Sequence, residues 1–309
     1  MLIFYGGIKM KKTLLASLVV VVSTLCSVGS QVYAASESQQ TPMERSSSAS
    51  STSKEYRLST QNQERLDNIL ANHPGYSDYF SDIQRNITES GLVSPDQYNK
   101  EIAESISGIE KALADNQIKK QEINERIKGK NLPNELNSKK ERGIGSYAAA
   151  KAAWLAGAAT VNGMGYPNTS AYMVHAAGSV IPFDTPPDHV SNQNAWAKTI
   201  IANNDILNTH HSEYEIWIWT DDPVLTVSKS FEFTSGDPYY ALHNVNYTYT
   251  YVRQPNGSVK CSGTVTDVYD FALTDYDSLM TGFANNVGVF CQQFGVIAPY
   301  DIIIKYSWG

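Results

Sequence analysis

The densest polar group in the chain is Thr266-Asp267-Val268-Tyr269-Asp270-Phe271, followed by Asp275 and Asp277. From Asp267 to Asp277 there is neither Lys nor Arg to offset the four carboxylates. Carboxylates crowded without counter-charges imply exposure, a bound cation or raised pKa values. Oxygen-rich groups of this kind suit Mg²⁺ or Ca²⁺. The spacing is not that of an EF-hand loop, because the Gly at its sixth position and the Glu at its twelfth are missing. In a regular strand Asp267 and Tyr269 share a face and Asp270 takes the other, so joint action of all three requires a bulge or a strand end there. The competing account is a strand end whose aspartates cap turns.

Other chemistry-bearing residues are scattered. Asp237, in Ser235-Gly236-Asp237-Pro238, can join the aspartate group in space or simply sit in a turn before proline. His175 stands mid-helix beside Ala176 and Ala177 and can supply a base or play a structural part. His210-His211 has no Cys or Glu at zinc-ligand spacing nearby. His-Glu-x-x-His, Gly-x-Ser-x-Gly and a phosphate-binding glycine loop are all absent, which disfavours zinc proteases, serine hydrolases and nucleotide-dependent enzymes.

The elements that must position these residues follow a leader. Lys9, Lys11 and Lys12 precede the apolar run 14–22, and Val32-Tyr33-Ala34 supplies a cleavage site, so residues 1–34 read as a secretory signal peptide. This makes the mature chain an exported, extracellular protein. Residues 35–54 are Ser-rich and poor in apolar side chains, a disordered linker. Residues 55–142 read as helical: Ile102, Ile106, Ile109 and Leu113 share one helix face, and Ser94-Pro95-Asp96 is a helix start. The Lys/Glu-rich stretch 119–142 reads as a solvated helix end and a linker. The region is a spacer, a prodomain or a delivery module.

Residues 143–309 hold all the tryptophans and form the expected catalytic domain. Residues 147–160 are Ala-rich and helical, Asn168 caps a short helix, and Ser191 caps another. Residues 184–188 form a loop. Residues 213–220, 224–233, 245–253, 258–271 and 301–307 read as strands, with a hairpin turn at Pro255-Asn256-Gly257 and a helix over 278–294. The class is α+β: an N-terminal helical region, then helices packed on an antiparallel, barrel-like sheet. Cys261 and Cys291 remain after cleavage, either as a disulfide or as two small buried thiols.

The net charge of −7 grows more negative once the leader lysines are removed, which argues against nucleic acid as a partner. No apolar run after residue 34 approaches the ~20 residues of a membrane span.

The string Asp267-Val268-Tyr269-Asp270 resembles the Asp-x-Tyr-Asp signature of the colicin M-like toxins. The resemblance covers this one strand. It implies a bacteriocin-like toxin with a delivery half and a C-terminal catalytic domain. Such a toxin hydrolyses the lipid-linked peptidoglycan precursor lipid II between undecaprenyl and pyrophosphate, with a divalent metal, Mg²⁺ or Ca²⁺. It also implies a cognate immunity protein. The essential acid role falls on Asp267 or Asp270, with Tyr269 as packing or hydrogen-bonding partner. The metal would be drawn to Asp267, Asp270, Asp275 and Asp277, and Asp237 and His175 would complete the catalytic set. The family signature continues with His-Arg about six residues on, where this chain has Tyr276 and Asp277. The alternative is a secreted, non-enzymatic binding or pore-forming protein whose contact face is Trp217, Trp219, Tyr247, Tyr249 and Tyr251. A third reading has the aspartates holding Ca²⁺ for stability alone.

Overall fold

Alternation in the Tyr/Thr-rich strand and the turn at Pro255-Asn256-Gly257 build the central hairpin. Gly257 takes a positive φ of 82°, which glycine adopts freely, and Gln254 closes the turn on Ser258. The computed structural model describes residues 55–129, 144–179, 184–269 and 287–309. The expected leader and Ser-rich linker lie outside the described residues, as do Asp270, Asp275 and Asp277 and most of the helix expected over 278–294.

The strands are β1 (His189–Asn192), β2 (Val224–Glu232), β3 (Asn244–Arg253), β4 (Val259–Tyr269) and β5 (Tyr300–Trp308). They form one sheet in the order β1-β5-β4-β3-β2. β2, β3, β4 and β5 are antiparallel neighbours, and β1 adds to β5 in parallel. The sheet is therefore open, with β1 and β2 at its edges, and is not the closed, barrel-like sheet expected from the sequence.

Helices cover both faces. α1 (Thr60–Asn72), α2 (Ser77–Ser90) and α3 (Pro95–Gly129) form the first layer. Ser94 Oγ accepts from the Gln97 N–H at 3.2 Å, which fixes the start of α3 where the sequence placed it. Ile102, Ile106 and Ile109 are buried with Ile83 and Ile87 against Val224, Val252 and Ile303 of the sheet. This sheet face is also rich in hydroxyls, and the helices answer them. Ser105 Oγ lies 3.2 Å from Thr250 Oγ1, Asn86 Nδ2 donates to Ser262 Oγ at 3.3 Å, and the Tyr76 hydroxyl meets Thr266 Oγ1 at 2.6 Å. Gly108 permits the close approach, since a Cβ there would stand 2.2 Å from Ser228 Oγ. The helices of 55–129 are thus part of the same unit as the sheet, Ser53–Gly309, and the expected boundary near residue 142 does not divide the core.

The second layer contains α4 (Ile144–Gly163), α5 (Pro167–Ala176), α6 (Ala195–Ile201), α7 (Asn204–Asn208), α8 (His211–Ile218), α9 (Gly236–Ala241) and α10 (Val289–Gln293). Trp154, Tyr172, Ile201 and Trp217 pack there against Tyr247, Tyr249 and Tyr251. Those three tyrosines and Trp217 are at most 6 % exposed and belong to the core, so of the five residues of the expected contact face Trp219 alone, 88 % exposed, reaches solvent.

Three local expectations are corrected. Residues 213–218 lie in α8 and 219–220 follow its end, so the segment is not a strand. Tyr214 and Trp217, three apart, stack together on Tyr251 while Ile216 and Trp219 face outward, so tertiary packing overrides strand propensity. Ser191 lies in β1, and Asn194 caps α6 through the Ala197 N–H. Asn168 sits inside α5, whose start is capped from a distance by Asp237. The described cysteines, Cys261 and Cys291, are free and buried. Burial pushes both thiols up, Cys291 to about 12, so neither is a nucleophile at neutral pH.

Candidate functional site

The site is the sheet end where β4 stops and β5 begins, with Tyr269 opposite Tyr300 and Val268 opposite Asp301. Strand alternation gives Tyr269 and Tyr300 to the second-layer face and Asp301 to the first-layer face, and the Asp267 carboxylate at the strand end is reached by α3 of the first layer.

α3 reaches this end with Asn116, Lys119 and Lys120, which share a helix face by their three- and four-residue spacing. Lys119 Nζ donates to Asp267 Oδ1 at 2.7 Å and to the Asn244 carbonyl at 2.7 Å. The Val268 N–H donates to the same carboxylate oxygen at 2.8 Å. Asp267 is only 3 % exposed, so this pairing is what makes its burial tolerable. Lys120 Nζ donates to Asp301 Oδ2 at 2.6 Å, and Asn116 Nδ2 to Asp301 Oδ1 at 3.0 Å. The expected solvated helix end is therefore, at 119 and 120, a pair of cations serving buried aspartates. His73, just before Pro74, places Nδ1 2.9 Å from Asp188 Oδ2 and 3.8 Å from Asp301 Oδ2.

On the other face Tyr269 packs on Tyr172 and Tyr300, with centroids 5.8 and 5.4 Å away. Tyr300 packs on His175 at 4.6 Å and donates its hydroxyl to the Tyr172 carbonyl at 2.8 Å. His175 Nε2 donates to the Pro187 carbonyl at 2.8 Å, and its ring meets His189 edge-on at 4.9 Å. The Pro186-Pro187-Asp188 loop thereby serves both clusters, Pro187 binding His175 and Asp188 binding His73. Burial pushes the Tyr172 hydroxyl pKa up, and the charges of Asp267 and Asp237 push it further.

Asp237 has a different task. Its carboxylate accepts from the N–H groups of Asn168 and Thr169 at 2.9 Å each, and from Asn168 Nδ2 and Thr169 Oγ1. It caps α5 and, with all of these donors on it, has no free oxygen to offer as a catalytic base.

Two histidines, the buried His210 and the half-buried His189, set an acid limit. Burial, then the neighbouring His175, lowers His189 to about 4; burial, then Lys229, lowers His210 to about 4. Each has an ordinary value of 6.5 when unfolded. The unfolded chain therefore takes up more protons between pH 6.5 and 4, so their contribution is full above 6.5 and is lost as pH falls toward 4. Thermal melts should show Tm declining through this window. His210→Gln, which keeps a partner for the Tyr251 hydroxyl now 2.7 Å from Nε2, should flatten the decline. An equally steep decline in that variant would rule His210 out as a cause.

Of the residues singled out in the sequence, the structure brings Tyr269 and His175 into one aromatic cluster and buries Asp267 beside it. The sequence reading missed His73, Asp188, Asp301, Lys119 and Lys120. One signal was present: Asp301 opens an otherwise apolar strand, and a charge there needs a partner. Nothing local identifies Lys119 or His73 as partners, since each meets its aspartate across more than a hundred residues.

No protein-family model matches the sequence, and no curated protein matches it. Two solved structures are similar to part of it. PaeM, a colicin M-like bacteriocin produced by Pseudomonas aeruginosa, is 18 % identical over 46 % of this chain, with a TM-score of 0.26. The chain spans 50 % of the length of PaeM. Truncated bacteriocin syringacin M from Pseudomonas syringae pv. tomato is 14 % identical over 57 % of this chain and 90 % of its own, with a TM-score of 0.21.

Proposed function

We propose that the chain is a secreted, colicin M-like toxin that hydrolyses a lipid-linked cell-wall precursor, lipid II, at its pyrophosphate. The observation that carries the reading is the seating of the Asp-x-Tyr-Asp string at the end of a buried strand. Asp267 is pinned by Lys119, Tyr269 packs on Tyr172 and Tyr300, and β4 is described up to Tyr269, the residue before Asp270 in sequence. An anchored strand end is the kind of support that holds a reactive side chain in one geometry. His175 joins the same cluster through Tyr300, which supplies an imidazole where the family's following His is absent.

The roles divide accordingly. Asp267 is a positioning residue, and Asp270 is the acid–base group at the reacting phosphate. The divalent ion implied by the resemblance is assigned away from Asp267, because a single oxygen of that carboxylate, Oδ1, already accepts from both Lys119 and the Val268 N–H. Its ligands in this reading are Asp270, Asp275 and Asp277, and its chemistry is neutralisation of charge on the pyrophosphate. No step is assigned to Asp237, which is spent on capping α5.

The test is a cleavage assay with the chain from Ala35, purified lipid II and either Mg²⁺ or Ca²⁺. Released undecaprenol and pyrophosphorylated headgroup are expected from the wild type. Asp270→Ala, still folded, should lose at least ~100-fold in rate, the low end for a general acid–base group. A folded wild type that releases neither product with either ion would sink the proposal.

A further inference from the structure

We propose that His73, Asp188 and Asp301 form a binding site for a transition-type divalent ion, Zn²⁺ or Mn²⁺. The three residues come from the end of α1, the loop before β1 and the start of β5. They are remote in sequence, yet one ligand atom from each lies within 4.8 Å of the others. Tetrahedral zinc with bonds near 2.1 Å needs ligand atoms about 3.4 Å apart. The distances from His73 Nδ1, 2.9 Å to Asp188 Oδ2 and 3.8 Å to Asp301 Oδ2, straddle that value. One imidazole and two carboxylates suit zinc or manganese better than magnesium or calcium, which take oxygen alone.

A second observation points the same way. Asn116, 1 % exposed, gives its amide nitrogen to Asp301, while its own Oδ1 is buried with no partner among the described residues. The group thus sets two carboxylates against the one ammonium of Lys120, and the Asn116 carbonyl oxygen is left without a donor among the described residues. Lys120 does not close the site. Each carboxylate oxygen has two lone pairs, so Asp301 Oδ2 can hold the ammonium and an ion together. The Lys120 side chain, 27 % exposed on a flexible stem, can also swing aside. His73 and Asp188 are both partly exposed, and His73 also borders a cleft of about 560 Å³ with Asn68, Asn72 and Gln117.

When the ion binds, the Nδ1 lone pair of His73 turns to it and the imidazole proton resides on Nε2. The His73–Asp188 hydrogen bond is replaced by two bonds to a shared ion. No proton need leave the protein, and the ion ties α1, the 184–188 loop and β5 together. The proposal stands independently of the hydrolase reading.

The experiment is calorimetric titration of the metal-free full chain with Zn²⁺ and Mn²⁺, with Co²⁺ as a visible-absorption probe of the ligand set. One ion per chain is expected, with a rise in Tm. His73→Ala and Asp188→Asn change partly exposed side chains and should keep the far-ultraviolet dichroism of the wild type. Each should weaken binding by at least ~10-fold, the loss that even an outer-shell partner carries. His211→Ala should bind as the wild type does, since His211 lies outside the proposed site, in an exposed pair with Glu215. A folded wild type that takes up none of the three ions would overturn the proposal, and so would undiminished binding by His73→Ala.

Discussion

A chain beginning at Gly143 is expected to fail to fold. The prediction follows from what α1–α3 cover. Ile83, Ile87, Ile102, Ile106 and Ile109 are all at most 1 % exposed, and they bury Val224, Val252 and Ile303 of the sheet. Burying one such side chain stabilises by about 1.5–3 kcal/mol. Uncovering Val224, Val252 and Ile303 in the truncated chain removes an amount comparable with the whole 5–15 kcal/mol that holds a typical domain. Truncation would also strand Asp267 and Asp301 without Lys119, Lys120 and Asn116. The measurement is a thermal melt of residues 143–309 by circular dichroism beside the chain from Ala35. The long chain should give a cooperative transition and the short one none. Addition of residues 55–129 as a separate chain should restore part of the signal. A cooperative melt of 143–309 alone would show that the helices are an accessory module after all.

The contrast between the two halves of the site shows what a sequence can carry. The β3–β4 hairpin was legible because its signals are local: strict alternation, a Pro-Asn-Gly turn and no competing helical period. The buried stripe Ile102-Ile106-Ile109 was legible for the same reason. The α8 segment was not, because Glu-Tyr-Glu-Ile-Trp-Ile-Trp-Thr satisfies the strand pattern and only the seat of Tyr214 and Trp217 on Tyr251 decides for a helix. The tyrosine stripe was visible, but whether it faced water or core depended on a second helical layer that no residue in β3 announces. The aspartates show the same limit. Asp237 and Asp267 look alike in sequence, yet one caps a helix and the other neutralises a lysine. Both roles are fixed by donors that lie some 70 to 150 residues away.

Lys119→Met is expected to cost about 3 kcal/mol of unfolding free energy. Removing one partner of a buried ion pair leaves an uncompensated charge, a loss of about 3–5 kcal/mol, and the low end applies because Lys119 is itself 30 % exposed. The substitution keeps the length and apolar stem of the side chain, so lost packing contributes little. Adding Asp267→Asn should recover part of the loss, since a neutral amide needs no counter-charge and its oxygen can still accept from the Val268 N–H. Urea denaturation of the two single variants and the double variant closes the cycle and isolates the pair. A loss below about 0.5 kcal/mol for Lys119→Met would mean that water already screens Asp267, as it does for exposed pairs. The same variants separate the two aspartates of the motif. If Asp267 positions and Asp270 reacts, folded Asp267→Asn should keep measurable lipid II cleavage while losing stability. Asp270→Ala should do the reverse, keeping its melting temperature while losing the reaction. A dead Asp267→Asn protein with wild-type stability would instead place Asp267 at the reacting phosphate and make Lys119 its charge partner in catalysis.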